Sequence, residues 1–482
     1  MVNFRIIARI ISLVIIAEGI FLLLTTGVSV VIKDGEASSF LYSAIITLVS
    51  GIISFTPLNQ DEKVTGNREG YIIVTATWIF FSLFGTLPFL FSGTIDNFAD
   101  AFFEAMSGFT TTGASVISDI ESLPASILFW RSLTQWIGGI GIIFISLSVF
   151  PIVKSINIQL AATEFSGQQA DKIQPRFIEA AKRLLTIYVL LTAVQVILLL
   201  VTGMPFFDAV CHSFSTLSTG GFSTRNTGIA AFEAPSIKIV LTIFMFIAGI
   251  NLPLIYFALK GNFRKIKGNH EFRFYLLLTA AFVVLSMVVL IIDKGFNPVK
   301  ALSDSAFHIV SIVTTTGFYS ADYTQWGNIM VMIIFILMFT GGMAGSTSGG
   351  IKIIRLSLIT INYRKEMHRL LHPNAYIPVR IDEHVVTSGN IYNLLVFITL
   401  YFIIICASSL VISLMGFDIV TSFSTSASML ANLGPSLGNF GPFTNYASLS
   451  DGGKIYLSGL MLIGRLELMT IMILFSKSFY RH

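Results

Sequence analysis

Ten apolar segments, each close to the length that crosses a lipid bilayer, dominate this chain of 482 residues. About 20 residues of α-helix span the hydrocarbon core of a membrane at 1.5 Å per residue. Only 12% of the residues are charged, against roughly 25% in a soluble globular protein. The sequence therefore predicts an all-α polytopic membrane protein and excludes soluble enzymes, disulfide scaffolds and nucleic-acid binders. The predicted crossings are residues 10–32, 40–56, 71–92, 127–150, 182–202, 238–259, 274–293, 327–361, 391–415 and 455–476.

Lysine and arginine are unevenly divided between the two sides that these crossings define. The side that holds both termini receives 22 of the 30 basic residues, the other side receives 7, and Arg465 lies inside a span. Because basic loops stay on the cytoplasmic side, both termini are predicted to be cytoplasmic.

A short motif recurs between the crossings. Asp100, Asp208 and Asp304 each precede a glycine by 13 residues, and a fourth copy runs from Asp418 to Gly434 over 16, which predicts about one added helical turn there. Each aspartate is expected to cap an apolar half-helix that enters from outside and is too short to cross. The half-helices are predicted at residues 98–112, 206–219, 299–316 and 417–431.

These copies predict two leader helices followed by four parallel repeats of span, half-helix, glycine tail and span, arranged as a pseudo-fourfold pore about an axis normal to the membrane. The predicted boundaries are 1–66 for the leader, then 67–177, 178–268, 269–386 and 387–482 for the repeats.

The tail of each half-helix can turn backbone carbonyl oxygens toward that common axis. The negative poles of four helices would favour a cation there, and a ring of carbonyls can replace the hydration shell of a potassium ion. A single Thr-Thr-Gly is more often a helix C-cap, but its recurrence at one spacing favours an ion site. We call these tails the filter segments; their residues are Thr111, Thr112, Gly113, Thr219, Gly220, Gly221, Thr315, Thr316, Gly317, Asn432, Leu433 and Gly434.

Two glycines compete in the second filter segment. The 13-residue spacing and the Gly-Phe pair that the second and third segments share both favour Gly221 over Gly220.

At the filter segments the sequence resembles the Trk/Ktr/HKT superfamily of potassium uptake proteins, and most closely its TrkH-type bacterial subunits. The resemblance covers the whole chain, including the two-helix leader. It implies potassium as the transported ion, no cofactor, a place in the bacterial inner membrane and a homodimer embedded in lipid. It also implies a TrkA-like ring of nucleotide-binding regulatory subunits docked on the cytoplasmic loops 154–177 and 362–389. Relatives with serine at the first filter glycine tend to admit sodium, so glycine in all four repeats implies a preference for potassium.

The span at 327–361 is interrupted by residues 341–350, which we call the Gly-rich loop. Each glycine destabilises a helix by roughly 1 kcal/mol, so this segment is predicted to be irregular inside the membrane. Arg465 lies mid-span, where an arginine costs about 2.5 to 3.5 kcal/mol. The resemblance implies that the loop and Arg465 form a gate below the filter segments. The alternatives are a passively packed broken helix and a buried pair of Arg465 with Glu467. The predicted gate residues are Gly345, Ser346, Thr347, Gly349 and Arg465.

Coupled transport is the alternative to a channel. Proton- or sodium-coupled cation symport through the same site is not excluded by these residues. An enzyme is excluded, because the spans hold almost no titratable residues apart from Glu18, Arg465 and Glu467.

Overall fold

The computed structural model describes residues 3–55, 67–149, 173–372, 378–382 and 384–480. The helices are α1 (Phe4–Ile32), α2 (Ala37–Ile53), α3 (Asn67–Gly85), α4 (Leu87–Phe91), α5 (Phe98–Phe109), α6 (Ala125–Val149), α7 (Ile173–Val201), α8 (Phe206–Leu217), α9 (Pro235–Ala248), α10 (Leu252–Leu259), α11 (Phe263–Gly268), α12 (His270–Lys294), α13 (Pro298–Val313), α14 (Asn328–Leu337), α15 (Ile353–Leu371), α16 (Ser388–Leu414), α17 (Ile419–Ala431), α18 (Asp451–Arg465), α19 (Leu468–Phe475) and α20 (Lys477–Tyr480). Strands β1 (Val379–Ile381) and β2 (His384–Val386) form an antiparallel hairpin. Of the two predicted docking loops, residues 154–172, 373–377 and 383 lie outside the described residues.

The helices follow the predicted order of a two-helix leader and four repeats. In each repeat a long helix is followed by a short helix, a stretch of extended chain and a second helix. The short helices are α5, α8, α13 and α17.

The second helix is continuous in the first repeat, where α6 has 25 residues, and interrupted in the other three. Within the described residues, five helices are long and apolar enough to cross a membrane, or seven when two bent pairs are counted as single spans. The predicted crossings 238–259 and 455–476 are these pairs: α9 meets α10 at 111°, and α18 meets α19 at 113°. The first bend has a local cause, because Pro253 stands in the first turn of α10 and cannot continue α9. The crossing at 327–361 consists of α14, irregular chain and α15.

Aromatic side chains fix the first short helix against its neighbours. Phe109, at the end of α5, stacks on Phe81 with ring centroids 5.0 Å apart and lies edge-on to Trp130 at 6.3 Å. The Nε1–H group of Trp130 donates to the carbonyl of Gly85 at 3.2 Å. The inner end of α5 is thereby held by α3 and α6.

Of the four aspartates predicted to cap the short helices, one does so and three do not. Side-chain oxygens of Asn97, Asn297 and Asp418 accept hydrogen bonds from the first backbone N–H groups of α5, α13 and α17. Pro205 occupies the same position before α8. Only Asp418 is both a predicted and an actual cap.

The other three aspartates lie within their helices and pair with basic side chains. A carboxylate buried near an apolar helix needs a counter-ion, which explains why each is paired. The pairs are Asp100 with Lys454, Asp208 with Arg225, and Asp304 with Lys238.

The predicted extra turn in the fourth repeat is wrong. Asp418 stands 16 residues before Gly434, just as Asn97 stands 16 residues before Gly113, so these two caps are equivalent. The added turn lies in the third repeat, where α13 has 16 residues against 12, 12 and 13 in α5, α8 and α17.

Replacing Asp418 with alanine is expected to destabilise the protein by about 1 kcal/mol, because the carboxylate accepts from the N–H groups of Val420 and Thr421 at 3.1 and 3.3 Å. Hydrogen bonding from Thr421 lowers the pKa of Asp418. Because the pKa of Asp418 is lower in the folded than in the unfolded protein, the ionised carboxylate stabilises the fold at pH values above the unfolded-state pKa. This stabilisation is lost as the pH falls through the folded-state pKa. Thermal unfolding in detergent at neutral and acidic pH measures both effects. Asp418→Asn, which retains a capping oxygen, is the matched control and should lose less stability at neutral pH.

Candidate ion pathway

Each short helix ends in the same backbone motif. The N–H group of the residue before the filter glycine donates to the carbonyl five residues earlier, and the residue immediately before this donor is left-handed. Together these two features define a Schellman C-cap. The four bonds run from Thr112 to Ser107, from Gly220 to Ser215, from Thr316 to Ser311 and from Leu433 to Ser428, at 2.8 to 3.0 Å. The left-handed residues, with φ between 52° and 55°, are Thr111, Thr219, Thr315 and Asn432.

A second left-handed residue follows two positions later in every repeat. These residues, with φ between 77° and 95°, are Gly113, Gly221, Gly317 and Gly434. An L-residue is disfavoured in this conformation, which explains the glycine. The C-cap and the filter interpretations are therefore compatible, because the cap starts the irregular segment that the glycine continues.

The four filter glycines close a ring. A Cβ atom added to any of them would lie within 3.0 Å of a carbonyl oxygen of the next repeat, closer than real Cβ contacts occur. The pairs, in ring order, are Gly113 with Gly220, Gly221 with Thr316, Gly317 with Leu433, and Gly434 with Thr112. Repeat 1 thus meets repeat 2, and so on until repeat 4 meets repeat 1.

All four glycines also line one cavity of about 80 Å³ on the outer side of the ring. In the second repeat the lining glycine is Gly221 and not Gly220. The Gly220 carbonyl instead accepts from Nε2 of the buried Gln135 at 2.7 Å, and Oε1 of the same side chain accepts from the N–H of Phe222 at 3.1 Å.

The polar side chains of the filter segments bond to protein. The hydroxyl of Thr112 lies 2.8 Å from that of Thr110, and Thr316 and Thr314 repeat this pair at 2.8 Å. The amide of Asn432 donates to Thr112 Oγ1 at 3.0 Å. Main-chain oxygens are therefore the groups that all four filter segments share as possible ion ligands, whereas Asn432 Oδ1, a buried oxygen without a hydrogen-bond donor, occurs in the fourth segment alone.

The Gly-rich loop lies directly against the inner side of the filter segments. The N–H group of Gly349 donates to Thr315 Oγ1 at 2.7 Å, and Thr347 Oγ1 donates to the carbonyl of Leu217, the last residue of α8, at 3.0 Å. The loop therefore uses a filter side chain and a helix C-terminal carbonyl as acceptors.

The start of the loop is fixed to neighbouring helices. The carbonyl of Gly345 accepts from Leu252 N–H at 3.4 Å, at the bend between α9 and α10. The N–H group of Ala344 donates to Glu271 at 2.7 Å, and the hydroxyls of Ser346 and Ser348 lie 2.7 Å apart.

Arg465 links the loop to the first repeat. Its side chain is buried, Nη1 donates to the carbonyl of Thr347 at 2.8 Å, and Nη2 donates to the carbonyl of Gly138 in α6 at 3.1 Å. The alternative pair with Glu467 does not form, because Glu467 accepts from Nη2 of Arg355 at 2.6 Å.

Several polar residues that support this pathway were missed by sequence reasoning. Gln135 lies in the predicted crossing 127–150, and Glu271 lies three residues before the predicted crossing 274–293. A polar group at membrane depth is itself a functional signal. The serine that accepts each C-cap bond stands six residues before every filter glycine, a repeated signal visible in the sequence.

A ring of four repeats whose glycines line one cavity, with a hydrogen-bonded loop packed against the filter segments, is the architecture of a membrane transport protein with a single central pathway. The family described as TrkH, cation transport protein, matches residues 38–480. The Trk system potassium uptake protein TrkH of Salmonella typhimurium is 35% identical over 99% of this chain and 100% of its own length. The protein of the same name from Escherichia coli K12 is 34% identical over the same shares.

A solved structure agrees with these relatives. The crystal structure of the potassium transporter TrkH from Vibrio parahaemolyticus has a TM-score of 0.91 at 31% identity, covering 99% of this chain and 100% of that one. The chain belongs to the TrkH family of cation transport proteins. The predicted family and fold class are thereby confirmed, and the chain is a multi-pass membrane transporter, not an enzyme.

Proposed function

We propose that this chain carries potassium into the bacterial cell through its four filter segments. The observation that carries the proposal is the closed ring, in which each filter glycine touches a carbonyl of the next repeat. Relatives named as potassium uptake proteins across the full chain length support the choice of ion.

The filter segments are suited to a dehydrated cation. In an extended chain, successive carbonyl groups point to opposite sides. Where left-handed residues alternate with residues of negative φ, as in the filter segments, the carbonyl groups turn to the same side. Backbone oxygens from four repeats then replace the hydration water of potassium, while the buried side chains hold the segments in place. The proposed ion ligands are the twelve residues of the filter segments, in which the Gly220 carbonyl, already bonded to Gln135, has its second lone pair for the ion.

The Gly-rich loop and Arg465 form the proposed gate. The loop lies against the inner side of the filter segments. Hydrogen bonds connect it to residues of repeats 2, 3 and 4, so conduction requires some of these bonds to break. The gate residues are Gly345, Ser346, Thr347, Gly349 and Arg465.

The setting of the protein belongs to the same proposal. The chain acts in the inner membrane with both termini in the cytoplasm, because 22 of 30 basic residues lie on that side. It works as a homodimer, and a TrkA-like ring of nucleotide-binding subunits on its cytoplasmic loops controls the gate.

Purified protein in liposomes tests this function. With potassium inside and sodium outside, the reversal potential is expected to lie near the value for a potassium-selective pore and to be independent of pH. A reversal potential that follows the proton gradient, or the sodium gradient at fixed potassium, would favour coupled symport. Equal permeation of both ions would reject the potassium function.

Replacing Gly113 with serine is expected to lower the preference for potassium over sodium, by about tenfold if the change in ion binding is near 1.4 kcal/mol. The serine Cβ meets the Gly220 carbonyl and widens the ring on one side. Bi-ionic reversal potentials measure the preference. Gly459→Ser, at a position in α18 with open space around it, is the control and should leave the preference unchanged. An unchanged preference in Gly113→Ser would mean that this glycine is not part of the filter.

A further inference from the structure

One position on each short helix supports the outer end of its own filter segment. The residue nine places before the filter glycine bonds to the chain two or three places after that glycine in all four repeats. These residues, buried in every case, are Glu104, His212, His308 and Thr425.

Glu104 makes the most extensive of these contacts. Its carboxylate accepts from the hydroxyl of Ser115 at 3.1 Å and from the N–H group of Val116 at 3.0 Å. The chain that leaves Gly113 is therefore tied to the middle of α5.

The two histidines make the corresponding contacts as neutral side chains. Nδ1 of His212 lies 2.8 Å from the carbonyl of Asp208, and a carbonyl can only accept, so Nδ1 donates and leaves Nε2 to accept from Ser223 Oγ at 3.0 Å. His308 repeats this arrangement and accepts from the N–H of Ser320 at 3.3 Å.

The fourth repeat uses a hydroxyl pair. Thr425 Oγ1 lies 3.1 Å from Ser436 Oγ, two residues after Gly434. Three different chemistries, a carboxylate, an imidazole used twice and a hydroxyl, thus perform one task, and only the first repeat uses a charge.

The charge on Glu104 is paired with Arg131 of α6. Nε of Arg131 donates to Glu104 at 2.8 Å, and the two side chains are 1% and 0% exposed. The guanidinium also donates to Ser115 Oγ and to the carbonyl of Ser223, each at 3.3 Å, and lies 4.3 Å from the ring centroid of Phe222. One arginine therefore contacts the outer ends of two filter segments.

We propose that the residue nine places before each filter glycine braces the outer end of the filter, and that the buried Glu104–Arg131 pair is the brace that sets discrimination between potassium and sodium. The inference rests on the proposed function, because it assigns positioning residues to the same filter. Selectivity requires the ring to hold its size against a smaller ion, and a bonded pair joining two segments resists the collapse that sodium would need. A buried pair is also held more rigidly than exposed ones, since breaking it leaves a desolvated charge.

Two substitutions test the pair by charge and by shape. Glu104→Gln keeps the side-chain volume and removes the charge; Arg131→Lys keeps the charge and removes the guanidinium that reaches Ser223. Each is expected to lower the potassium-to-sodium permeability ratio by about tenfold, the size expected when hydrogen bonds to a charged group are lost. If Arg131 acted only as a positive charge at the outer mouth, Arg131→Lys would keep the wild-type ratio, and Glu104→Gln would slow both ions equally.

The readouts separate this inference from the proposed function and from a merely structural role. Wild-type protein that fails to discriminate the two ions rejects the proposed function, whatever the variants do. Wild-type protein that discriminates, with both variants within twofold of its ratio, overturns the brace. Lys238→Met breaks another ion pair, with Asp304, the seventh residue of α13, and should lower thermal stability with an unchanged ratio.

A variant of smaller effect keeps the test open if Glu104→Gln and Arg131→Lys do not fold. Ser115→Ala removes the hydroxyl that contacts both members of the pair and leaves the ion pair in place. Its ratio is expected to fall several-fold while its melting temperature stays close to wild type. A wild-type ratio in this variant, at wild-type flux, contradicts the brace.

Discussion

Replacing Gly317 with alanine is expected to lower potassium uptake into liposomes at least about tenfold, while the protein still folds. Two effects combine at this position. A left-handed alanine costs roughly 1 to 2 kcal/mol, and its Cβ would occupy the space of the Leu433 carbonyl oxygen in the next repeat. Because that carbonyl is a proposed ion ligand, its displacement removes one of the oxygens that replace hydration water. Tracer uptake at matched protein density measures the loss.

Gly295→Ala separates the two effects. Gly295 is the left-handed C-cap of α12 with φ of 64°, and a Cβ there would meet open space. This control carries the conformational penalty alone, so it should lower stability by a similar amount and leave uptake intact. Wild-type uptake in Gly317→Ala would show that the ring of glycines and carbonyls is not the path of the ion.

The repeats and the glycines of the filter could be predicted from sequence because their physical causes are local. A fixed interval between an aspartate and a glycine marks a repeated unit, and glycine marks positive φ. The equal conformation of Thr111 and Asn432 could not be predicted in this way, since a β-branched threonine disfavours the left-handed region. There the Schellman bond to a serine five residues before the donor decides the conformation.

The roles of the aspartates show where local reasoning fails. Asp100 stands in the first turn of α5, where a carboxylate suits the helix dipole, so a cap was a reasonable prediction. The cap is Asn97, and Asp100 pairs with Lys454, which lies more than 350 residues away in the chain. Partners brought together only by the closed ring of repeats have no signature in the sequence around either residue.

The bends below the filter also depend on long-range contacts. The break between α18 and α19 occurs at Glu467, a residue other than glycine that has φ of 56°. Its carboxylate binds Arg355 in α15, just after the Gly-rich loop, at 2.6 Å. The bend therefore places Arg465 and Glu467 on different partners, the first on the loop and the second on the helix that follows it. One segment of the fourth repeat thus contacts both the Gly-rich loop and the helix that follows it.

Replacing Arg465 with alanine is expected to raise basal potassium flux by about tenfold or more. The guanidinium donates to the Thr347 carbonyl in the loop and to the Gly138 carbonyl in α6, and a hydrogen bond from a charged group contributes about 1.5 to 3 kcal/mol. If these bonds exist only in the closed state, their loss shifts the gate toward the open state by that amount. Uptake into liposomes without any regulatory subunit measures the shift.

A second variant tests the loop from its other side, and an exposed arginine provides the control. Thr347→Val removes the hydroxyl that donates to the Leu217 carbonyl, keeps the side-chain shape, and should raise flux by a smaller factor than Arg465→Ala. Arg364→Ala removes an exposed guanidinium from α15 and should leave flux unchanged. Potassium selectivity should persist in all three proteins, because the filter glycines and their braces are intact. Basal flux in Arg465→Ala equal to that of Arg364→Ala would mean that the loop is a passively packed broken helix and that the gate lies elsewhere.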